Sequence, residues 1–394
     1  MQSDEAQPLL DAMIAALKEK GELGDPRLEA AFRAVERHHF LPNVPLEQVY
    51  TDDALPIKRG PDGSVISSSS QPTMMAMMLR QLQPQPGQNV LEIGSGTGYN
   101  AAILQYLVGA EGTVTTLELD KDLAQRVQRH LQMAGMNRVR VVHTDGAGGY
   151  APRAAYDRII ATVGVWDVPR NWIDQLKAQG ILVTPIWIDA VQVSAAFTRA
   201  EDGTLYSREN LPCGFVRLRG ANAGPLLAQR VGTTSLVLTS NKVPALDSAA
   251  LHSLLSEGVE HNFFDIRLDS GDYSQGFLPY FVLNLPKDYI FGAYSMSANQ
   301  QAYGLTGHGF ALLRPGSACF VPYHAQGEAR CFGSIDAFMA VQTALDNWTA
   351  AGRPDSTALR LRLIPKEHGP TPILSGQLYT RKDHYIHAWL ETRN

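Results

Sequence analysis

Apolar residues recur at helical spacing over residues 8–20 and again in "RLEAAFRAVERH" at 27–38. Asp25-Pro26 gives the second segment a cap and a first-turn proline. The next stretch, "FLPNVPLEQVYTDDALPIKRGPDGSVIS", is broken by four prolines and a Pro-Asp-Gly turn, so it predicts loop and short strands. Four serines follow, and Pro72 then opens a helix to about Gln83. From residue 89 a different rhythm begins. "NVLEIG", "GTVTTLEL", "RVRVVHTD", "YDRIIATV" and "GILVTPIW" read as buried strands, and "YNAAILQYLVG", "DLAQRVQRHLQMAG" and "NWIDQLKAQG" as the helices between them. That alternation predicts an α/β fold: a doubly wound, Rossmann-like parallel sheet whose strands end on one ligand-binding edge.

Around "ANAGPLLAQRV" (221–231) the composition shifts, and a boundary is expected there, with one domain over 1–224 and an α+β domain over 225–394. The second has helical spacing near 247–257 and over 334–350. Its β-like runs are "FFDIRL", "LPYFVLNL", "FALLRPGSACFVPY", "ALRLRLIP" and "YIHAWL". With 394 residues the chain has room for two domains at ~100–200 residues each.

Composition narrows the function classes. A hydrophobic share of 44% against 19% charged is that of a globular protein, and a net charge of −5 argues against nucleic acid or an anionic membrane as partner. Three scattered cysteines, Cys213, Cys319 and Cys331, predict neither a disulfide framework nor a zinc site. His384 and His387 point to opposite faces of a strand, so no metal is expected. The acidic N-terminus and the lack of a run of ~20 apolar residues predict a soluble, cytoplasmic protein.

The chemistry gathers at strand ends. Glu92-Ile93-Gly94-Ser95-Gly96-Thr97-Gly98 closes the first strand of the alternation, and glycines there let backbone approach a ligand closely. A nicotinamide enzyme would space its glycines G-x-G-x-x-G, which is not the spacing here. Glu118 ends the next strand, where a carboxylate can accept both hydroxyls of a ribose. Asp145-Gly146 ends the third.

E-x-G-x-G-x-G in this position resembles motif I of the class I methyltransferases, which bind S-adenosylmethionine and release S-adenosylhomocysteine. The flanks are similar to protein-L-isoaspartate O-methyltransferases: "AFRAVERHHFLP", "VYTDDALPI", "ISSSSQPTM", "GILVTPI" and "GFVRLRG" follow the family's order over about residues 10–222. The resemblance implies cofactor contacts at Ser70, Thr73, Glu92, Gly94, Ser95, Gly96, Gly98, Asn100, Glu118, Leu119, Asp145 and Gly146. It places the catalytic hydroxyl at Ser70 and a substrate-gripping backbone at Val216. The implied partner is a peptide or protein bearing an aspartyl or isoaspartyl carboxylate; a homodimer is left open.

Three departures stand on the substrate side. Ser67, Ser68 and Ser69 lengthen what is a one-serine loop in the family, Arg217 replaces a proline, and "VGVWDVP" (163–169) brings Trp166. With the added C-terminal part, they resemble the FxLD-type branch that methylates an aspartate of lanthipeptides or graspetides, the ester then closing to aspartimide. They favour that role over general repair. A non-catalytic module keeping only the cofactor fold is the reading of another class. Met74, Met75, Met77 and Met78 read as core filling, and Ser70 can equally cap the helix after it. Arg217 and Arg219 read equally as a carboxylate clamp or as a solvated pair.

Overall fold

The computed structural model describes all residues except 1, 226, 241–246, 298, 325, 371 and 392–394, and the side chains of 2–4. Leu226, inside the segment where composition shifts, therefore lies outside the described residues. Helices α1 (Gln2–Glu19) and α2 (Pro26–Ala34) come first, and the Asp25 carboxylate accepts the Arg27 amide at 2.8 Å, as the sequence suggests. A single turn, α3 (Leu46–Val49), precedes an antiparallel hairpin of β1 (Leu55–Arg59) and β2 (Val65–Ser69). Ser67 to Ser69 are thus strand rather than a lengthened loop, with Ser67 and Ser69 turned inward and Ser68 half-buried between them. Helix α4 (Pro72–Leu82) follows, and Met75 and Met78 are buried in a core shared with α1 and α2.

The alternation then runs β3 (Asn89–Ile93), α5 (Tyr99–Val108), β4 (Thr113–Glu118), α6 (Lys121–Met133), β5 (Arg140–His143), β6 (Tyr156–Ala161), α7 (Arg170–Gln175) and β7 (Leu176–Ile188). The five strands are parallel in the order β5-β4-β3-β6-β7. Strand order reverses between β3 and β6, which opens a crevice at their carboxyl ends. Helix α7 is shorter than "NWIDQLKAQG" predicts, because the chain is already extended at Leu176, which pairs with Tyr156. Strands β8 (Val191–Arg199) and β9 (Leu205–Pro212) add to β7 antiparallel.

Next come β10 (Ala228–Arg230), β11 (Val237–Thr239), α8 (Ser248–Ser256), β12 (Glu260–Phe263), α9 (Leu278–Leu283), β13 (Ile290–Ser295), β14 (His308–Arg314), β15 (Ser317–Pro322), β16 (Glu328–Gly333) and α10 (Asp336–Ala350). The strands form a seven-stranded antiparallel sheet, with Leu251 and Leu255 of α8 packed on one face and Val341 and Leu345 of α10 on the other. "LPYFVLNL" is helix α9, not strand. An apolar run this short has no decisive period, and here it packs all round against the aromatics Phe277, Phe291 and Phe310. "FFDIRL" is strand only up to Phe263.

The last strands, β17 (Leu359–Pro365), β18 (Gln377–Thr380) and β19 (His384–Leu390), return to the first sheet and extend it as β9-β17-β19-β18. Buried Asn210 donates to the Leu359 carbonyl at 2.7 Å and the Ser207 hydroxyl accepts from the Leu361 amide at 2.8 Å, which fastens the joint. A clean division at 224/225 does not describe this arrangement: the antiparallel sheet is an insertion between β9 and β17 of a ten-stranded sheet.

Candidate active site

The crevice at the β3–β6 switch encloses about 580 Å³ of space open to solvent. Gly94 (φ +92) sits where a Cβ would lie 2.8 Å from the Thr162 hydroxyl, and at Gly96 (φ +56) one would lie 3.3 Å from the Ser68 carbonyl. Only glycine lets the loop turn this way against the serine strand. At Gly146 a Cβ would meet Ile93 at 2.6 Å, so the third strand end is also pressed close. Ser67, Ser68, Gly94, Gly96, Glu118, Leu119, Gly146, Val216 and Arg217 line the crevice, together with Ile66, Ile93, Leu117, Thr162, Val163, Leu218 and Arg219.

Glu118 faces this space as a carboxylate that is only 6% exposed. It accepts the Gly96 amide at 3.3 Å and the Asp120 amide at 3.1 Å, and burial raises its pKa despite those bonds. Glu92 lies one layer deeper and is not on the wall. Its two oxygens accept from Asn100 Nδ2 at 2.8 Å and the Thr116 hydroxyl at 2.5 Å, and Thr116 in turn meets the Ser95 hydroxyl at 2.7 Å. Burial pushes the Glu92 carboxyl up to about 7 against these two bonds. Glu92, Ser95 and Asn100 therefore form a buried network behind the glycine loop. Gly98 (φ +91) starts α5, and a Cβ there would be 3.0 Å from Val127.

Other expected site residues are engaged elsewhere. Asp145 accepts the Ala147 amide at 2.9 Å and the Ala221 amide at 2.7 Å, so its carboxylate ties the 216–221 segment to the third strand end. The Thr73 hydroxyl donates to Asp52 at 2.6 Å, and its amide donates to the same carboxylate at 2.8 Å. Asp52, reaching in from the "YTDDA" segment, is thus what satisfies the start of α4, where Gln71 is the cap residue and Ser70 makes no capping bond. The Ser70 carbonyl accepts Arg37 Nη1 at 2.8 Å, from a guanidinium with no solvent exposure. Ser69 is 3% exposed with its hydroxyl unpartnered among the described residues, and neither it nor Ser70 lies on the crevice wall, where Ser67 and Ser68 do.

Two of the three departures, Arg217 and the "VGVWDVP" stretch, also make inward contacts. Arg217 donates through Nη2 to the carbonyls of Gly224, at 2.5 Å, and Pro225. Arg219 clamps Asp120 through both terminal nitrogens at 2.6 and 3.3 Å, and Lys58 of the hairpin joins Asp120 at 3.3 Å. Neither arginine is a solvated cation. Trp166 is no lid. The Arg381 guanidinium stands 3.5 Å from its ring centroid, and Gly224 packs on its other atoms. Next to it, buried Asp167 accepts His384 Nδ1 at 2.8 Å, the Asp383 amide at 2.6 Å and the His384 amide at 3.2 Å. The "VGVWDVP" stretch is the bracket that holds the β18–β19 turn. Val216 is bonded within it, its carbonyl accepting the Gly164 amide at 2.8 Å. His387 Nε2 donates to the Ser375 carbonyl at 2.8 Å, and its ring stacks on Trp389, away from His384.

Sequence reasoning missed Thr162, Val163, Asp52 and Arg37. Thr162 was within reach of the rule used for the other three strand ends, because it follows β6 directly. Asp52 and Arg37 stand in the family-like segments "VYTDDALPI" and "AFRAVERHHFLP", but nothing there names their partners, which lie in another segment.

Residues 9–223 match the profile of the protein-L-isoaspartate(D-aspartate) O-methyltransferase family. A protein-L-isoaspartate O-methyltransferase of Methanopyrus kandleri is 37% identical over 211 residues, which is 53% of this chain and 91% of that protein. One from Thermotoga maritima is 36% identical over 199 residues, 50% of this chain and 62% of that protein. A solved structure of a protein-L-isoaspartate O-methyltransferase superposes with a TM-score of 0.52 at 23% identity, over 97% of this chain and 99% of the other. The fold of the C-terminal part therefore has a counterpart as well.

Proposed function

The chain belongs to the protein-L-isoaspartate(D-aspartate) O-methyltransferase family, whose members use S-adenosylmethionine, and from that premise we propose that the crevice presents a bound cofactor's methyl to the free α-carboxylate of an isoaspartyl residue in a damaged polypeptide. The observation that carries this reading is the alignment of a cradle that requires glycine at 94 and 96 with the buried, crevice-facing Glu118. No membrane-crossing helix is present among the described residues.

These residues fit the cofactor. The glycine loop leaves room for a backbone-bound amino acid moiety, Glu118 has the acceptor geometry for a ribose diol, and Ile93, Leu117 and Leu218 offer apolar walls for a base. When bound, S-adenosylmethionine supplies an electrophilic methyl, which passes to a carboxylate oxygen as the sulfur regains its electron pair. A substrate carboxyl with a pKa near 4 is already ionised at pH 7, so no general base is needed. The chain's task is positioning and exclusion of water. In this reading Ser70 orients the substrate carboxylate, and Arg37 fixes Ser70 by holding its carbonyl. Ser67 and Ser68 shape the acceptor side of the crevice. The methyl ester then closes to the imide as the following backbone nitrogen attacks and methanol leaves.

The finer alternative, a defined aspartate of a ribosomally made modified peptide, drew on Ser67 to Ser69, which are strand β2 rather than a longer loop, and on Arg217, Trp166 and the extra C-terminal part. Arg217 and Trp166 are taken up by internal contacts, and the C-terminal part has a structural counterpart. General repair is the reading these contacts favour. The test supplies methyl-labelled cofactor with an isoaspartyl peptide, its aspartyl isomer and a cyclised precursor peptide. Ester on the isoaspartyl peptide, lost in Ser70→Ala with cofactor affinity retained, is expected. Transfer only to the cyclised precursor would reverse the choice, and binding without transfer to any peptide would leave a non-catalytic module.

A further inference from the structure

Glu36, His38 and His39 converge at the turn that follows α2, outside the crevice. One ligand atom from each lies within 4.8 Å of the others. Glu36 Oε2 stands 3.8 Å from His38 Nε2 and 3.5 Å from His39 Nε2. Both separations exceed a normal N–H···O bond of about 2.9 Å, so neither ring closes on the carboxylate. Donor atoms around a first-row ion, each at about 2.0–2.2 Å, stand roughly 3–3.5 Å apart, which these three reach with small side-chain rotations.

The second shell has the form a metal histidine has. Nδ1 of His38 is 2.8 Å from the Tyr50 hydroxyl, and with Nδ1–H donating to the phenol oxygen the Nε2 lone pair is left on the Glu36 side. A hydrogen bond on one ring nitrogen fixes the tautomer and aims the other at the ion.

We propose that Glu36, His38 and His39 form a divalent transition-metal site, with two imidazole nitrogens and one carboxylate oxygen as protein ligands and water completing the shell. Two nitrogens with one oxygen suit Zn²⁺, Ni²⁺ or Cu²⁺ and disfavour Mg²⁺ and Ca²⁺, which want oxygen alone. The site differs in place and chemistry from the methyl-transfer crevice, and it stands whether or not the proposed acceptor is right. It is coupled to that crevice through the residue between its ligands: Arg37 turns inward to the Ser70 carbonyl at 2.8 Å. An ion holding residues 36, 38 and 39 fixes the backbone from which Arg37 reaches.

The experiment uses the untagged full chain, stripped with chelator, titrated calorimetrically with Zn²⁺ and followed with Cu²⁺ by electron paramagnetic resonance. One ion per chain is expected, with superhyperfine structure from two nitrogens. Glu36→Gln and His39→Ala, both at partly exposed positions, should each weaken Zn²⁺ binding at least tenfold. Tyr50→Phe should weaken it about 10-fold at unchanged stoichiometry. Binding that survives both ligand substitutions, or saturation requiring more than about 100 μM Zn²⁺ (a free energy weaker than ~5.5 kcal/mol), overturns the assignment. Mg²⁺ binding as tightly as Zn²⁺ overturns the ligand chemistry.

Discussion

Glu92→Gln is expected to stabilise the ligand-free protein at pH 8 while leaving it close to the parent at pH 5. Burial raises the Glu92 carboxyl from its ordinary 4.5 to about 7, partly offset by the bonds from Thr116 and Asn100. The folded state therefore holds a proton that the unfolded chain has already released between those two pH values. Where the folded state binds more protons, stability falls as pH rises, and the loss is complete above pH 7. At 1.36 kcal/mol per pH unit the gap corresponds to about 3 kcal/mol. Glutamine has no charge to lose, and its carbonyl can still accept from Asn100. Urea unfolding of parent and variant at pH 5, 6, 7 and 8, at fixed ionic strength, isolates the term because all other groups are shared. The difference should grow from within about 1 kcal/mol to about 3 kcal/mol in the variant's favour. Parallel stability curves would refute the claim that the buried carboxylate titrates late.

Asp167→Ala leaves two buried donors at His384 and a partly buried one at Asp383 without an acceptor and should cost roughly 3 kcal/mol, read as a lower urea midpoint; a loss under about 1 kcal/mol would refute the bracket. Gly94→Ala should abolish S-adenosylhomocysteine binding by calorimetry, whereas Gly148→Ala, with open space around its Cβ, should leave it intact. Ser69→Ala should be neutral or stabilise by about 1 kcal/mol, because its buried hydroxyl has no partner among the described residues, and a change in peptide preference would contradict its placement away from the crevice.

The doubly wound sheet and the cradle were legible because their signals are local. A strand pattern, an acid and three glycines within seven residues fix both the turn and its ligand edge. The misreadings share a different physical origin. Trp166 and Arg217 sit where a substrate contact is plausible by position, but their partners come from tertiary packing. The Asp167–His384 pair spans 217 residues of sequence. Thr73 read as a cofactor contact by its place in the family-like "ISSSSQPTM" segment, while the Asp52 that binds it comes from the separate "VYTDDALPI" segment. The return of β17–β19 was invisible for the same reason: strand periodicity names a strand and its faces, not its neighbour in the sheet.

That return bears on how the chain is made. When β9 leaves the ribosome its outer edge has no partner, and its final neighbour, β17, is not synthesised until the whole seven-stranded insertion has emerged. The nascent protein must carry an open sheet edge through that interval, the kind of surface that recruits other strands. Synthesis rate across residues 213–358, and any chaperone that shields the edge meanwhile, should then govern yield more than the stability of the finished enzyme does.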